Sequence, residues 1–341
     1  MKNTFSSILC VIAAIVMTGC AKTVSSGPNE ANKRYFDAWL SLNYPNAEKA
    51  GRGIYIIEET EGTGDEVTED GYVVLDYVAT DLEGTISAYT DSETAKQLGE
   101  YAVTTYYGPT VWTTFEGTIQ AGLMDALEGM KVGGSKKVIV PCWLMSYKAY
   151  DTEEQYLDAS SSYSDAIYDI TVKAFTDSIN VYEIEQIKKY MADRPETFND
   201  RMTNDTTGFY YQPVSEDIDT EDTFPSDTTI YINYTGKLLN GLVFDTTIEK
   251  VAKDNGLYSS SKTYEPVQIN WGESYSDITM GSDESSIISG FALTLWQMHP
   301  MEKGIGVFYS PLGYGYSGSG SSIPAYAPLI FEIEIVEEPE D

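Results

Sequence analysis

Apolar and polar residues alternate in two stretches of the chain, TIYINYTG from Thr229 and LIFEIEIVE from Leu329. Alternation with a period of two puts apolar side chains on one face of a strand, so both stretches predict half-buried antiparallel strands. A different spacing occurs in VYEIEQIKKYM from Val181, where apolar residues recur every three or four positions. That spacing predicts a helix with one apolar stripe. The chain therefore combines helices with strands in an α+β arrangement.

The same order of elements occurs twice. A helical pattern at residues 35–42 is followed by a proline and the strand GIYIIEE from Gly53. The helical pattern from Val181 is likewise followed by a proline and by GFYYQPV from Gly208. Tyr35 and Gly53 are as far apart along the chain as Tyr190 and Gly208. Self-similarity at such a long period indicates a duplicated unit.

The two copies continue in parallel. Four segments of the first copy match four segments of the second in the same order. The pairs are VVLDYVATDLEG with IYINYTGKLLNG, GTIQAGLMDALEGMKVGG with SSIISGFALTLWQMHPMEKG, VIVP with FYSP, and AIYDITV with LIFEIEI. Each unit therefore predicts an extra leading helix and then an antiparallel sheet with one short helix. We place the first unit at residues 31–178 and the second at residues 179–341.

The N-terminus has the pattern of a targeting segment. Lys2 supplies positive charge, residues 8–17 are apolar but too few to span a bilayer, and MTGC ends at Cys20. This pattern resembles a bacterial lipobox, which implies a signal peptide at residues 1–20 and a lipid on Cys20; an uncleaved anchor is the alternative. Residues 21–30 are small and polar and predict a tether. We therefore expect a lipid-anchored protein of the cell envelope, on the periplasmic side of a membrane or at the cell surface.

Charge and composition exclude several classes of function. The 341 residues carry a net charge of −32, which argues against nucleic acid or anionic lipid as a partner. The chain has one histidine, His299, which precedes a proline and predicts a surface position. It has no clustered metal ligands, so we expect neither a metal nor a cofactor. Cys142, within apolar VIVPCWL, predicts a small buried side chain.

Three segments occur in a fixed order in the second half: YTGKLLNGLVFD at residues 234–245, IISGF at 287–291, and SPLGYGYSGSGSSIPAYAPLIFEIEIVE at 310–337. The ordered set resembles the FKBP family of peptidyl-prolyl cis-trans isomerases. The resemblance covers roughly residues 208–337, with a long insertion near residues 251–286. It implies α+β units in which a twisted antiparallel sheet wraps around a short helix. It also implies an isomerase that acts on proline-containing polypeptides.

That activity needs little reactive chemistry. Amide resonance sets a barrier of about 18–20 kcal/mol to rotation about a peptide bond, although the X–Pro isomers differ by only about 0.5–1 kcal/mol. Resonance separates charge, and an apolar site disfavours that separation, whereas the twisted amide has less of it. An apolar cradle with weak donors to the carbonyl therefore suffices.

The resemblance also implies the site residues: Tyr234, Phe244, Asp245, Ile288, Phe291, Tyr314, Ile323 and Phe331. Most of these would form apolar walls, with Asp245 as a polar rim and Phe291 at the floor, where the family usually has tryptophan. The backbone N–H of Ile288 and the hydroxyl of Tyr314 would donate to the substrate carbonyl. Val267 and Ile269 fall where the family often has aromatic walls. Each apolar residue also has a plain interpretation as core, and Asp245 as a turn residue.

The first unit departs from the motifs. Tyr77 and Tyr168 match Tyr234 and Phe331, but Ser87 and Ala88 replace the Phe-Asp pair. Leu123 falls at the floor, and no GYG follows Pro141. The resemblance therefore implies an inactive first unit that holds substrate or acts as a spacer.

Three functions remain in competition. The first is an isomerase that assists the folding of exported proteins. The second is a non-catalytic, chaperone-like lipoprotein, which the 27 tyrosines favour because tyrosine supplies amphipathic contact area. The third is a structural or glycan-binding envelope protein. The oligomeric state stays open.

Overall fold

A computed structural model describes residues 28–159, 163–204, 208–216, 218–219 and 221–339. The predicted signal peptide and lipidated Cys20 lie outside these residues. None of the helices in the described part of the chain combines the length and apolar character needed to cross a bilayer.

The first unit is built, in chain order, from α1 (Pro28–Asn43), β1 (Glu48–Ala50), β2 (Ile54–Thr60), β3 (Tyr72–Thr80), β4 (Ile86–Tyr89), α2 (Ser92–Leu98), β5 (Thr110–Thr113), α3 (Ala121–Leu127), β6 (Ser135–Val140), α4 (Glu153–Leu157) and β7 (Ala166–Thr176). Its strands form one antiparallel sheet in the order β1-β2-β6-β7-β3-β4, with β5 also paired to β3.

The second unit follows with α5 (Ile179–Ala192), β8 (Thr203–Asn204), β9 (Phe209–Pro213), β10 (Thr229–Leu238), β11 (Val243–Thr246), α6 (Glu249–Asp254), β12 (Val267–Asn270), β13 (Thr279–Met280), β14 (Ser285–Ser286), α7 (Ser289–Trp296), β15 (Lys303–Phe308) and β16 (Leu329–Val336). The sheet order is β14-β13-β12-β10-β16-β15-β9-β8, again antiparallel, with β11 also paired to β10.

The two sheets repeat the same connectivity and register, which confirms the predicted α+β class with two similar units. The order β2-β6-β7-β3 of the first sheet recurs as β9-β15-β16-β10 in the second. Side-chain hydrogen bonds recur as well, because the Tyr77 N–H donates to Thr90 Oγ1 (3.0 Å) just as the Tyr234 N–H donates to Thr247 Oγ1 (2.9 Å). One short helix, α3 or α7, has its apolar residues buried in the core of each unit.

Several local expectations were wrong. Helix α1 begins at Pro28, inside the segment that we predicted as a tether. Proline is favourable in a first helical turn, and the amide of Asn29 anchors this end by donating to the carbonyl of Tyr156 (2.9 Å). The units also contain short helices besides the one that we predicted in each sheet unit. Helix α2, for example, is capped by Asp91, which accepts from the Thr94 N–H, and by Gly99 with a positive φ.

The segment at residues 251–286 was expected to be an insertion, but part of it belongs to the sheet. It supplies β12, which pairs with β10, and the small strands β13 and β14 that extend the edge. Because β12 pairs directly beside β10, this segment builds one wall of the second unit rather than looping freely over it.

Helix α5 connects the units and packs on the second sheet. Its buried residues are Ile179, Glu183, Ile187 and Met191, which recur every four positions. The stripe that we predicted from Val181 is therefore displaced, and Val181 is exposed. Ile187 and Met191 join a cluster with Ile305 and other residues of β9, β15 and β16. A buried acidic residue, Glu183, consequently faces the second unit.

Candidate active site

Four aromatic rings of the second unit converge between the sheet and helix α7. Phe331 of β16 is central, with its ring centroid 4.9 Å from that of Phe291, 5.6 Å from Phe244 and 6.1 Å from Tyr234. Tyr234 meets Phe291 edge-on at 5.4 Å. Edge-on and tilted packing of this kind is favourable for aromatic pairs. The predicted residues of three strands and one helix therefore form one apolar cluster.

Glycine allows these rings to lie close to the strands. A Cβ added to Gly236 of β10 would lie 2.5 Å from the ring of Phe244 and 3.0 Å from that of Phe331. Helix α7 approaches the sheet in the same way, because a Cβ on Gly290 would lie 2.3 Å from the ring of Phe308. These positions tolerate no side chain without movement of the rings.

The cluster has a buried floor and an accessible rim. Phe291, Ile323 and Phe331 are buried, with 3–4% of each residue exposed. Tyr234, Phe244 and Ile288 are half-buried. Tyr314 is exposed at 37%, and burial together with the charge of Asp245 raises the pKa of its hydroxyl. A ligand at the rim would therefore meet an apolar interior and one accessible hydroxyl group.

Asp245 organises the polar edge. Its carboxylate accepts a hydrogen bond from the hydroxyl of Tyr234 (2.5 Å), from the N–H of Thr246 (2.9 Å) and from the ammonium group of Lys262 (2.7 Å). Burial and the neighbouring carboxylate raise the pKa of Tyr234 well above its usual value. The Tyr234 hydroxyl is thus committed to Asp245, whereas Tyr314 is the more exposed of the two tyrosines.

Ile288 and Ile323 bring main-chain segments to the cluster. Ile288 is the N-cap of α7 in an extended conformation, and its carbonyl accepts from the N–H of Phe291 (3.1 Å). Ile323 exchanges two backbone hydrogen bonds with Ser319 (2.8 and 3.1 Å), which closes the loop at residues 313–326. This loop carries both Tyr314 and Ile323. All eight predicted site residues therefore lie on the elements that surround the cluster.

The family model of the FKBP-type peptidyl-prolyl cis-trans isomerases matches residues 221–336, which contain this whole cluster. This part of the chain is therefore similar to the FKBP family. The chain is similar to a probable FKBP-type peptidyl-prolyl cis-trans isomerase of Haemophilus influenzae, with 28% identity over 217 residues that cover 63% of this chain and 70% of that protein. It is also similar to the bovine peptidyl-prolyl cis-trans isomerase FKBP11, with 30% identity over 108 residues that cover 32% of this chain and 41% of that protein.

Solved structures of FKBP proteins also align with the chain. The three FKBP domains of wheat FKBP73 share 16% identity over 84% of this chain and 95% of that chain, with a TM-score of 0.28. A peptidyl-prolyl cis-trans isomerase from Pseudomonas syringae shares 22% identity over 48% of this chain and 97% of that chain, with a TM-score of 0.31.

The two predicted wall residues of the second unit, Val267 and Ile269, both belong to its apolar core. Val267 is half-buried against the core, whereas Ile269 is fully buried in it. Trp271 lies beside Trp296, with stacked rings 5.5 Å apart. Lys262, which pairs with Asp245, was missed because its position in the predicted insertion gave no signal.

The first unit has its own aromatic cluster, which the motifs did not reveal. The ring of Tyr77 lies 4.9 Å from that of Trp112 and 6.0 Å from that of Tyr168. Trp112 comes from β5 and occupies the strand position of Ile269 in β12, since β5 pairs with β3 as β12 pairs with β10. Aligning the two copies beyond the FKBP motifs would have found this residue.

His299 and Cys142 have structural contacts. His299 is half-buried rather than on the open surface, because its backbone N–H (2.8 Å) and its ring Nδ1 (3.0 Å) both contact the carboxylate of Glu302. Cys142 is fully buried, as predicted, and burial raises the pKa of its thiol to about 12. The described residues contain no group of three or more ligands that could hold a metal.

Proposed function

We propose that the second unit catalyses cis-trans isomerisation of X–Pro bonds in polypeptides, with the aromatic cluster around Phe331 as its active site. The observation that carries the proposal is the convergence of Tyr234, Phe244, Phe291 and Phe331 on a floor that is buried below an accessible rim. The proline ring would lie on this floor. The floor residues that stay covered also act as core of the second unit.

The chemistry follows from the surroundings of the amide. An apolar cradle disfavours the charge-separated planar amide relative to the twisted one, which lowers the rotational barrier of about 18–20 kcal/mol. The hydroxyl of Tyr314 and the N–H of Ile288 would orient the substrate carbonyl. Asp245 would keep Tyr234 fixed in the wall, since it holds that hydroxyl at 2.5 Å. The reaction needs no group of low pKa and no cofactor.

The direct test is NMR exchange spectroscopy on the peptide Ac-Ala-Phe-Pro-Ala-NH2 with residues 21–341. We expect exchange cross-peaks between the cis and trans forms to grow with enzyme concentration. A folded protein that leaves the exchange at its spontaneous rate would refute the isomerase and favour the chaperone-like alternative, in which tyrosine-rich faces hold extended polypeptide.

We further propose that the protein acts in the cell envelope on exported proteins, anchored through a lipid on Cys20. The MTGC sequence after a short apolar run supports this proposal. Metabolic labelling with an alkyne fatty acid in a bacterial host should label the wild type and not a Cys20→Ser variant. Equal labelling of the two proteins would contradict the anchor.

A further inference from the structure

A cleft lies between the two units. It has a volume of about 390 Å³. The first unit contributes Tyr77, Trp112, Leu123, Tyr147 and Tyr168 among other residues, and the second unit contributes Tyr316, Ala325 and Tyr326. Both halves of the chain are therefore needed to form it.

This cleft is the counterpart of the proposed active site. Tyr168 pairs with Ala79 across β7 and β3, just as Phe331 pairs with Gly236 across β16 and β10. Gln120 is the N-cap of α3 in an extended conformation, as Ile288 is for α7. The duplication thus places this cleft at the position in the first unit that the ring cluster has in the second.

The lining differs in a way that separates binding from catalysis. Ser87 and Ala88 take the places of Phe244 and Asp245, and Leu123 takes that of Phe291. In exchange, the indole of Trp112 is added, with its ring 6.1 Å from that of Tyr168. The cleft keeps stacking surfaces but loses the acidic rim and the inner ring.

The chemistry of the lining selects a neutral ligand. Among the described residues that line the cleft, all are apolar, aromatic, or carry a hydroxyl or amide group, and none is charged. This neutrality stands out in a chain of net charge −32. Aromatic-lined grooves with hydroxyl donors bind proline-rich segments, because proline rings stack on the aromatic faces and the exposed carbonyls accept hydrogen bonds.

The second unit closes the cleft with the loop at residues 313–326. The N–H of Tyr106 in the first unit donates to the carbonyl of Ser321 (2.8 Å). The ring of Tyr326 meets that of Tyr72 edge-on at 5.6 Å. The same loop carries Tyr314 and Ile323 of the proposed active site. One loop therefore borders both the cleft and the proposed active site.

We propose that the composite cleft is a second, non-catalytic binding site for proline-containing extended polypeptide, which presents client segments next to the isomerase site. This inference rests on the proposed function for its ligand class. The experiment that tests it is independent of the isomerase assay, because it measures peptide binding at Trp112 rather than isomerisation.

The test uses 19F NMR of residues 21–341 labelled with 5-fluorotryptophan, with the Trp112 resonance assigned from a Trp112→Phe variant. The active site is disabled by combining Phe244→Ser with Tyr314→Phe. The probe is Ac-Ala-Phe-Pro-Ala-Leu-Pro-Ala-NH2. We expect a saturable shift of the Trp112 resonance, and an affinity at least fivefold weaker with Tyr168→Ala or with Tyr316→Ala.

Tyr316 is 76% exposed, so we expect Tyr316→Ala to fold. This variant keeps the test valid if Tyr168→Ala fails to fold. Tyr35→Ala, which removes an exposed tyrosine of α1, should leave the affinity unchanged. Three outcomes would overturn the proposal. They are the absence of a saturable shift, an equal shift with a peptide whose prolines are replaced by alanine, and a shift with maltohexaose but none with the proline peptide. Each of these outcomes can be interpreted whether or not the wild type has isomerase activity.

Discussion

Gly236 lies against the ring of Phe244, and the first unit changes both positions together. In the first unit the corresponding residues are Ala79 and Ser87. A Cβ at position 236 would lie 2.5 Å from the Phe244 ring. Beside Ala79 stands the much smaller side chain of Ser87, whose hydroxyl donates to the Ala79 carbonyl. The two copies therefore differ at both contacting positions together, and the large ring is present in the second unit.

Gly236→Ala should destabilise the protein by about 1–3 kcal/mol, because the new methyl group displaces the rings of Phe244 and Phe331. Isomerase activity should fall with it. Urea unfolding gives the change in the free energy of unfolding.

The matched comparison is a double-mutant cycle with Phe244→Ser. In that background Gly236→Ala should cost less than half as much, since the closer contact, with the Phe244 ring, is gone and only the 3.0 Å approach to Phe331 remains. Additive effects of the two substitutions would show that the methyl group is accommodated without contacting the ring.

Tyr314→Phe should lower kcat/KM for a Phe-Pro peptide about 3- to 10-fold. The substitution removes one hydroxyl donor, and a neutral hydrogen bond contributes about 0.5–1.5 kcal/mol. Because Tyr314 is partly exposed, the thermal midpoint should hardly change. Tyr275→Phe, which alters an exposed tyrosine outside the cluster, is the control. A loss of activity of the same size in both variants would contradict a specific role for Tyr314.

The buried carboxylate of Glu183 should make stability depend on pH. It accepts from the N–H (2.5 Å) and the hydroxyl (2.7 Å) of Ser310, where the loop with Tyr314 begins. Burial raises the pKa of Glu183 from 4.5 to about 7. Between these values the folded protein binds more protons than the unfolded chain, so the contribution of Glu183 to stability falls as the pH rises through this window.

Glu183→Gln should remove that dependence, because an amide does not titrate. The amide can still accept from the Ser310 N–H and donate to the Ser310 hydroxyl oxygen. At pH 8 the variant should be more stable than the wild type by roughly 1–3 kcal/mol, and at pH 4.5 nearly equal to it. Denaturant unfolding at both pH values measures this, with Glu185→Gln on the exposed face of α5 as control. Parallel pH profiles of wild type and Glu183→Gln would rule out the buried charge as the cause.

The periodic patterns predicted the fold class and the duplication, because strand alternation is a local property. The residues of the ring cluster were implied by the resemblance to the FKBP family. Glu183 was beyond the reach of both, since its burial depends on how α5 meets the loop at Ser310. Trp112 was missed for a related reason: its neighbours Tyr77 and Tyr168 come from other strands. Helix α1 was placed too late because the small residues before it resembled a tether, while the contact of Asn29 with Tyr156 is long-range.

The central claim is that the second unit is the isomerase, and substituting the first unit's residues into it tests this most directly. Phe244→Ser with Asp245→Ala installs the residues found at positions 87 and 88. The measurement is the cis-trans exchange rate of Ac-Ala-Phe-Pro-Ala-NH2 with wild type and with the double variant, both shown to be folded by near-UV circular dichroism. We predict acceleration by the wild type and at least a tenfold loss in the variant. No acceleration by the wild type, or equal acceleration by both proteins, would contradict the claim.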